Sequence, residues 1–301
     1  TADEQLEERC EDRPGFCAIT EGYGPANCTP HGRVIDDTWA RHARHGYYAA
    51  VSFGDALLGR VLSEVRSIGV WNDTIVVLTS DHGWHLGEQN EWCKTTLFEL
   101  ALHVPFVIRD PRPSAPYGHG GYRTLAFAEN VDIYRTLADL AGLGSSVEES
   151  VQGTSLAPLL VDPKTSNPSA KAAAYSQQAR CLNDPKTRRR IDVWTVADSC
   201  TVTPRSEIDF MGYSIRTDKW RFTAWLRWDG ANLEGNWTDI NSTELYDHTN
   251  DVGTGDAAFN SFEFENVASL HPSVTAALFG QLKAHFTDTG HHFPNPVSVV
   301  V

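Results

Sequence analysis

Residues 74–94, TIVVLTSDHGWHLGEQNEWCK, decide how this chain is read. Residues 74–78 form an apolar run rich in β-branched side chains, and after Thr79 and Ser80 it gives way abruptly to Asp81, His82 and Gly83. Such a run, without polar alternation, suits a strand covered on both faces, as in a parallel sheet. Asp81 then falls just past the strand's carboxyl end. Ligands bind at that end of open α/β sheets, so a carboxylate beside an imidazole has a physical reason to be functional there.

Working outward, Tyr47, Ala50, Val51, Gly54, Leu57, Leu58, Val61 and Val65 recur at spacings of three and four, which predicts a long amphipathic helix over 38–68. Asp36 or Asp37 is placed to cap it and Gly69 to end it. On the other side, 104–109 reads as a second strand bounded by Pro111 and Pro113. Asn130 or Asp132 opens a short helix, VDIYRTLADLAGL, whose Ile133, Leu137, Leu140 and Leu143 are expected to face a core, and 155–160 gives one more helical turn. Helix and strand thus alternate, as in an α/β fold.

The texture changes at 162–171, DPKTSNPSAK, a turn-rich linker. Beyond it, 172–177, 211–217 and 220–228 are short aromatic-rich strand patterns, and a last helix is expected near 272–286. The organisation expected is a large α/β domain over 1–165, opening with an arm at 1–35, and a small α+β subdomain over 166–301 with an antiparallel sheet and a packed helix.

The chain has 301 residues and a formal charge of −14, which argues against a nucleic-acid partner because no broad basic surface is present to neutralise phosphates. No apolar run approaches the roughly 20 residues of a membrane helix. The acidic opening, TADEQLEERCEDR, lacks both Met and a signal-peptide pattern and reads as a processed or truncated end. Cys10, Cys17, Cys28, Cys93, Cys181 and Cys200 show no zinc-type spacing. With the N-x-S/T sequons at Asn27, Asn72, Asn236 and Asn241 they point to a secretory route, lysosomal or extracellular.

For chemistry, Asp81 and His82 pair a carboxylate with an imidazole, the donors of a divalent-metal site. The bland reading is a turn cap beside a satisfied histidine. Lys94 lies thirteen residues after Asp81, at the end of a Gly-containing loop that includes Trp84 and Trp92. From there an ammonium can grip an anionic oxygen beside a metal, or serve only as an exposed lysine. His42, His45, His103, His119, His291 and His292 read as ordinary surface or core histidines, with His103 supporting the start of the second strand. The run Lys186 to Arg190 is a solvated loop or a rim patch that steers a polyanionic ligand. Cys181 and Cys200 flank that run and can close it with a disulfide. Trp220, Phe222, Trp225 and Trp228 read as core before they read as a sugar-stacking surface.

The pattern SDHGWxLGExxEWxK, followed by HVPFVIRDP, VDIYRTLADLAGL, YSQ, MGYSIRTDKWRFTAW and ELYD, resembles the sulfatase family of the alkaline-phosphatase-like superfamily, and within it the iduronate-2-sulfatase branch. The resemblance runs in order from about Tyr47 to Asp247. It implies part of an α/β sandwich and a reaction in which a formylglycine, made from cysteine, attacks sulfur while calcium and cationic side chains stabilise sulfate oxygens. Asp81 and His82 become metal ligands, Lys94 a sulfate-binding and leaving-oxygen contact, and Trp84 a wall of the sugar pocket. His85 and Cys93 depart from the family pattern and receive no role.

The family's nucleophile motif, Cys-x-Pro-x-Arg, does not occur in the 301 residues. In Cys28-Thr29-Pro30-His31-Gly32-Arg33 the arginine comes one position late, and Asp36-Asp37 follows that cysteine where the family's metal pair precedes it. Cys28 therefore reads as a loop or disulfide cysteine. Two functions follow. The chain is the C-terminal portion of a sulfatase whose nucleophile lies on an N-terminal portion or partner chain, acting on a sulfated glycan; or it is a sulfatase-like module without catalysis, structural or glycan-binding, in an extracellular assembly.

Overall fold

The computed structural model describes residues 37–90, 92–163, 171–181, 200, 203–251 and 262–287. The arm at 1–35, the cap at Asp36, the sequon at Asn27, the basic run at 186–190, His291 and His292 lie outside them. The chain forms two compact units that divide between Ala174 and Tyr175. None of the described helices is long and apolar enough to cross a membrane.

In the first unit α1 runs from Asp37 to Ser67, with Asp37 in its first turn and Arg66 in its last, each complementing the helix dipole. It stops at Gly69, whose φ of +80° is the left-handed conformation glycine adopts without cost. The amphipathic pattern predicts a packed face, yet of the helix residues only Ala40 is buried.

The strand predicted at the Asp-His-Gly turn is β1, Val76–Leu78, and the second predicted strand is β4, Val107–Arg109. They pair antiparallel, Val76 opposite Arg109 and Leu78 opposite Val107, which corrects the parallel neighbour expected from the apolar run. The reason is the connection. It contains a small hairpin, β2 (His85–Leu86) with β3 (Trp92–Cys93), and the single turn α2 (Glu99–Leu102), but no crossover helix. Its two ends are stitched together where Gly83 N–H donates to Ala101 at 2.8 Å and Trp84 N–H to Leu100 at 3.1 Å. The chain re-enters the sheet at the end it left, so β4 must run the other way.

Helix α3, Asp132–Leu140, occupies the predicted position with a different inner face. Its buried residues are Asp132, Thr136 and Leu140, while Leu137 and Leu143 are exposed. Polar groups take the inner stripe because they are satisfied there. Asp132 accepts the N–H groups of Glu129 at 2.8 Å and Thr154 at 2.7 Å, and pairs with Lys171 Nζ at 2.6 Å. Thr136 Oγ1 donates to the Asp132 carbonyl and accepts the Leu156 N–H at 2.9 Å, holding the entry to α4 (Ala157–Val161).

The second unit is built on a four-stranded sheet in the order β5 (Ala174–Arg180), β6 (Phe210–Arg216), β7 (Trp220–Asp229), β8 (Glu234–Asp247). β6 pairs antiparallel with β7, and β7 with β8. The predicted last helix is α5, Pro272–Thr287; it lays Leu278 and Leu282 onto the sheet, with Phe279 edge-on to Phe222 at 6.4 Å and Phe286 against Tyr213 at 4.5 Å. Phe222 is core, as its place in the aromatic stripe predicts, while Trp225 and Trp228 are half-buried and donate their indole N–H groups to Glu244 and the Arg205 carbonyl. Burial lifts the Glu244 carboxyl above the usual range, against the opposing pull of the Trp225 and Tyr246 hydrogen bonds. Cys181 and Cys200 are joined in a disulfide.

Candidate active site

At the carboxyl end of β1 the chain turns through Ser80, Asp81, His82 and Gly83. Ser80 Oγ donates to the His82 carbonyl at 2.7 Å, and the His82 N–H donates to Asp81 Oδ1 at 3.0 Å, so the turn is closed by its own side chains. Asn130, just ahead of α3, braces it from outside by donating to the Ser80 carbonyl at 3.0 Å. Asn130 reads in sequence only as a helix opener; a polar residue that caps nothing on its own helix is the signal that points elsewhere.

His82 Nδ1 lies 2.9 Å from the Gly83 carbonyl, which can only accept, so Nδ1 carries the proton and donates. In the neutral imidazole Nε2 then keeps its lone pair, and it lies 3.4 Å from Asp81 Oδ2. A histidine whose second nitrogen is tied to a backbone carbonyl, with its free nitrogen beside a carboxylate oxygen, is the arrangement metal-ligating histidines adopt. Asp81 projects into solvent with its side chain 84% exposed. The slight burial it has would raise its pKa, but its interactions with His82, through the ring and the backbone N–H, and with Ser80 outweigh this and hold the carboxyl below the usual range. The donor set fits a divalent metal. Its carboxylate suits calcium, its imidazole suits softer ions, and calcium's six to eight oxygen ligands need more than these two residues supply.

Trp84 stacks on Tyr47 of α1, ring centroids 6.2 Å apart, and lies 6.4 Å from the His82 ring. Tyr47 thus ties α1 to the turn that carries Asp81 and His82. The β2–β3 hairpin returns Lys94. His85 pairs with Cys93 and Leu86 with Trp92, and Lys94 follows β3 directly. The hairpin is locked by Glu88, which accepts the Leu86 N–H at 2.6 Å, by Arg44 of α1, which donates to the Leu86 carbonyl at 2.8 Å, and by left-handed Gly87 and Gln89. His85, without a role in sequence, is a buried anchor: its Nε2 is 2.7 Å from Thr96 Oγ1 and its ring meets Phe98 edge-on. His103 Nδ1 pairs with Glu99 Oε1 at 3.2 Å, across α2 and just ahead of β4.

The strand end thus carries a solvent-facing carboxylate beside an imidazole, with Trp84 stacked on Tyr47 next to it and Lys94 directly after β3. The sequence profile of the Sulfatase family matches residues 3–143. Iduronate 2-sulfatase of Mus musculus is 31% identical over 255 residues, covering 72% of this chain and 44% of the relative. Among solved structures, the phosphonate monoester hydrolase of Silicibacter pomeroyi matches 96% of this chain and 49% of its own, with TM-score 0.62 and 24% identity. An enzyme in complex with its substrate D-glucosamine-2-N,6-O-disulfate matches 78% of this chain and 39% of its own, with TM-score 0.53 and 24% identity. The structural matches establish the sulfatase-like α/β fold. The chain belongs to the sulfatase family, and it spans less than half the length of the iduronate 2-sulfatase it matches.

Proposed function

We propose that this chain supplies the metal- and sulfate-binding side of a sulfuric ester hydrolase acting on sulfated glycans, similar to iduronate 2-sulfatase, while the formylglycine nucleophile resides on a preceding portion of the same sulfatase. The observation that carries the reading is the placement of the His82 ring, with Nδ1 2.9 Å from the Gly83 carbonyl and Nε2 3.4 Å from Asp81 Oδ2. Asp81 and His82 hold the cation, with calcium the ion the family resemblance implies. When bound, it neutralises charge on the sulfate oxygens. Lys94 binds sulfate and stabilises the negative charge that builds on the departing sugar oxygen, and Trp84, backed by Tyr47, gives the sugar a flat apolar wall. The sulfated-glycan class is supported by the fold neighbour that holds a disulfated glucosamine.

The Cys181–Cys200 disulfide and the exposed sequon residues Asn72, Asn236 and Asn241 support a secreted or lysosomal glycoprotein. The second reading, a glycan-binding module without catalysis, is favoured by the absence of Cys-x-Pro-x-Arg from the 301 residues. One assay separates the two. The native protein, purified with every chain that accompanies it and supplied with calcium, is expected to release sulfate from a sulfated disaccharide, and Lys94→Ala to abolish the release. Binding of the disaccharide without turnover would establish the second reading instead.

A further inference from the structure

We propose that His85 is the positioning residue for Lys94: through one backbone pairing and one side-chain hydrogen bond it holds the chain on both sides of the lysine, and so fixes where the ammonium stands. This rests on the reading above that Lys94 binds sulfate.

Three observations carry it. The first is the pairing. His85 lies in β2 opposite Cys93 of β3, the residue immediately before Lys94. Its side chain reaches past the lysine to the residue after Thr95, with Nε2 2.7 Å from Thr96 Oγ1. Lys94 and Thr95 are therefore spanned between a backbone hold and a side-chain hold, and both holds belong to one histidine. Lys94 itself is half-buried, on a bend that leaves the hairpin at this point.

The second is the backbone inside that span. Thr95 has φ +73°, which a β-branched residue keeps only where its surroundings over-determine it. The hold on Cys93 fixes one end, and the burial of Thr96 and Leu97, with the His85 bond to Thr96, fixes the other. A span released from His85 relaxes Thr95 toward an ordinary conformation, and rotation about that residue carries Lys94 with it.

The third is the histidine's own setting. His85 is fully buried, and its ring meets Phe98 edge-on at 6.1 Å. An apolar side chain would fill such a place at no polar cost, so an imidazole there is explained by the bond it makes. The hairpin in turn is fastened to α1, where Arg44 donates to the Leu86 carbonyl at 2.8 Å, and His85 is thus a fixed reference point rather than a passenger of the loop. An ammonium stabilises charge only where that charge develops, and a displacement of about 1 Å can cost about 10²-fold in rate.

Three variants of the native protein, purified with every chain that accompanies it, test this. His85→Leu removes the bond to Thr96, Thr96→Val removes it from the other side at near-constant shape, and His85→Gln keeps a nitrogen and an oxygen within reach of the hydroxyl. Should His85→Leu fail to fold, Thr96→Val reads the same bond. Hydrogen exchange over residues 94–96 is expected to speed about tenfold or more in His85→Leu and Thr96→Val, and to stay at the parent rate in His85→Gln. Affinity for inorganic sulfate, read by calorimetry, is expected to weaken about tenfold in the first two, to recover in His85→Gln, and to fall no further when either is combined with Lys94→Ala, because a residue that acts through Lys94 has nothing to act on without it. Sulfate release from the disaccharide should follow the same order. Unchanged exchange in both bond-breaking variants, faster exchange with sulfate affinity at the parent level, or a further loss in the Lys94→Ala background would each overturn the proposal. A parent without turnover that binds sulfate in the expected pattern would remove the catalytic reading and leave the positioning. Turnover and sulfate binding indifferent to Lys94→Ala would remove the role given to Lys94, and the positioning with it.

Discussion

Gly83 lies against Leu100 so closely that a Cβ on the glycine would meet the Leu100 carbonyl oxygen at 1.9 Å. The same glycine donates its N–H to Ala101 at 2.8 Å, tying the Asp81–His82 turn to α2. Gly83→Ala must break this stitch or push α2 away, because the obstructing atoms are backbone. Urea unfolding should show a loss of about 1–3 kcal/mol. An unchanged midpoint would mean that α2 moves freely and does not fix the turn.

Thr95 follows Lys94 with φ +73°, a left-handed conformation that a β-branched residue adopts only under constraint. The surrounding anchors impose it, since the His85–Thr96 contact holds the next residue in a buried place. Thr95→Gly removes the steric cost and should raise stability by about 1 kcal/mol. Thermal unfolding of the two proteins under one buffer checks the sign.

Lys171 places its ammonium on two carboxylates, Asp132 and Glu129, with the Asp132 contact at 2.6 Å. Asp132 is fully buried. Lys171→Met leaves that carboxylate without its cation, and removal of one partner from a buried pair costs about 3–5 kcal/mol. Denaturant unfolding should show the loss, and Asp132→Asn combined with Lys171→Met should recover part of it, because the uncompensated charge is then gone.

The Asp110 carboxylate is clasped by Arg112, which donates Nε to Oδ1 at 2.9 Å and its terminal nitrogen to Oδ2 at 2.6 Å. These bonds hold the Asp110 carboxyl below the usual carboxylate range, against burial that would raise it. A lowered folded pKa stabilises above the unfolded value of about 3.9 and loses that contribution as pH falls through the folded value. Asp110→Asn should therefore be less stable than the parent at neutral pH, with the difference closing under acid. Unfolding free energies measured from neutral pH down to about pH 2, below the unfolded value, test this.

Asp81 is solvent-facing and bears none of the packing, so Asp81→Asn should leave unfolding unchanged while weakening divalent-ion binding by about tenfold or more, a loss near 1.4 kcal/mol. Isothermal calorimetry with calcium reads the affinity directly. Equal binding by both proteins would remove Asp81 from the ligand set.

The register of expectation and outcome differs along the chain for physical reasons. β8, Glu234–Asp247, was invisible to pattern reading because it is an edge strand, with Asn236, Thr238, Asp239, Ile240, Asn241 and Ser242 all exposed, and so lacks an apolar alternation. β6 and β7 were legible because both carry buried aromatics and aliphatics on a covered sheet. In α3 the helical span was readable but not its inner face, since burying Asp132 and Thr136 depends on Thr154, Leu156 and Lys171, which approach from elsewhere in the chain.

By itself, the sequence determined that a strand ends in Asp81, His82 and Gly83, that a long helix precedes it, and that an antiparallel aromatic-rich unit follows. Those follow from side-chain periodicity and turn chemistry, which act over a few neighbouring residues. Only the tertiary structure decided that β4 runs antiparallel to β1, that Asn130 braces the Asp81–His82 turn through the Ser80 carbonyl, that Trp84 stacks on Tyr47, and that among the described residues the apolar stripe of α1 meets solvent. Each depends on which distant groups supply the acceptor, the neighbouring strand or the covering surface, and local periodicity carries no information about those.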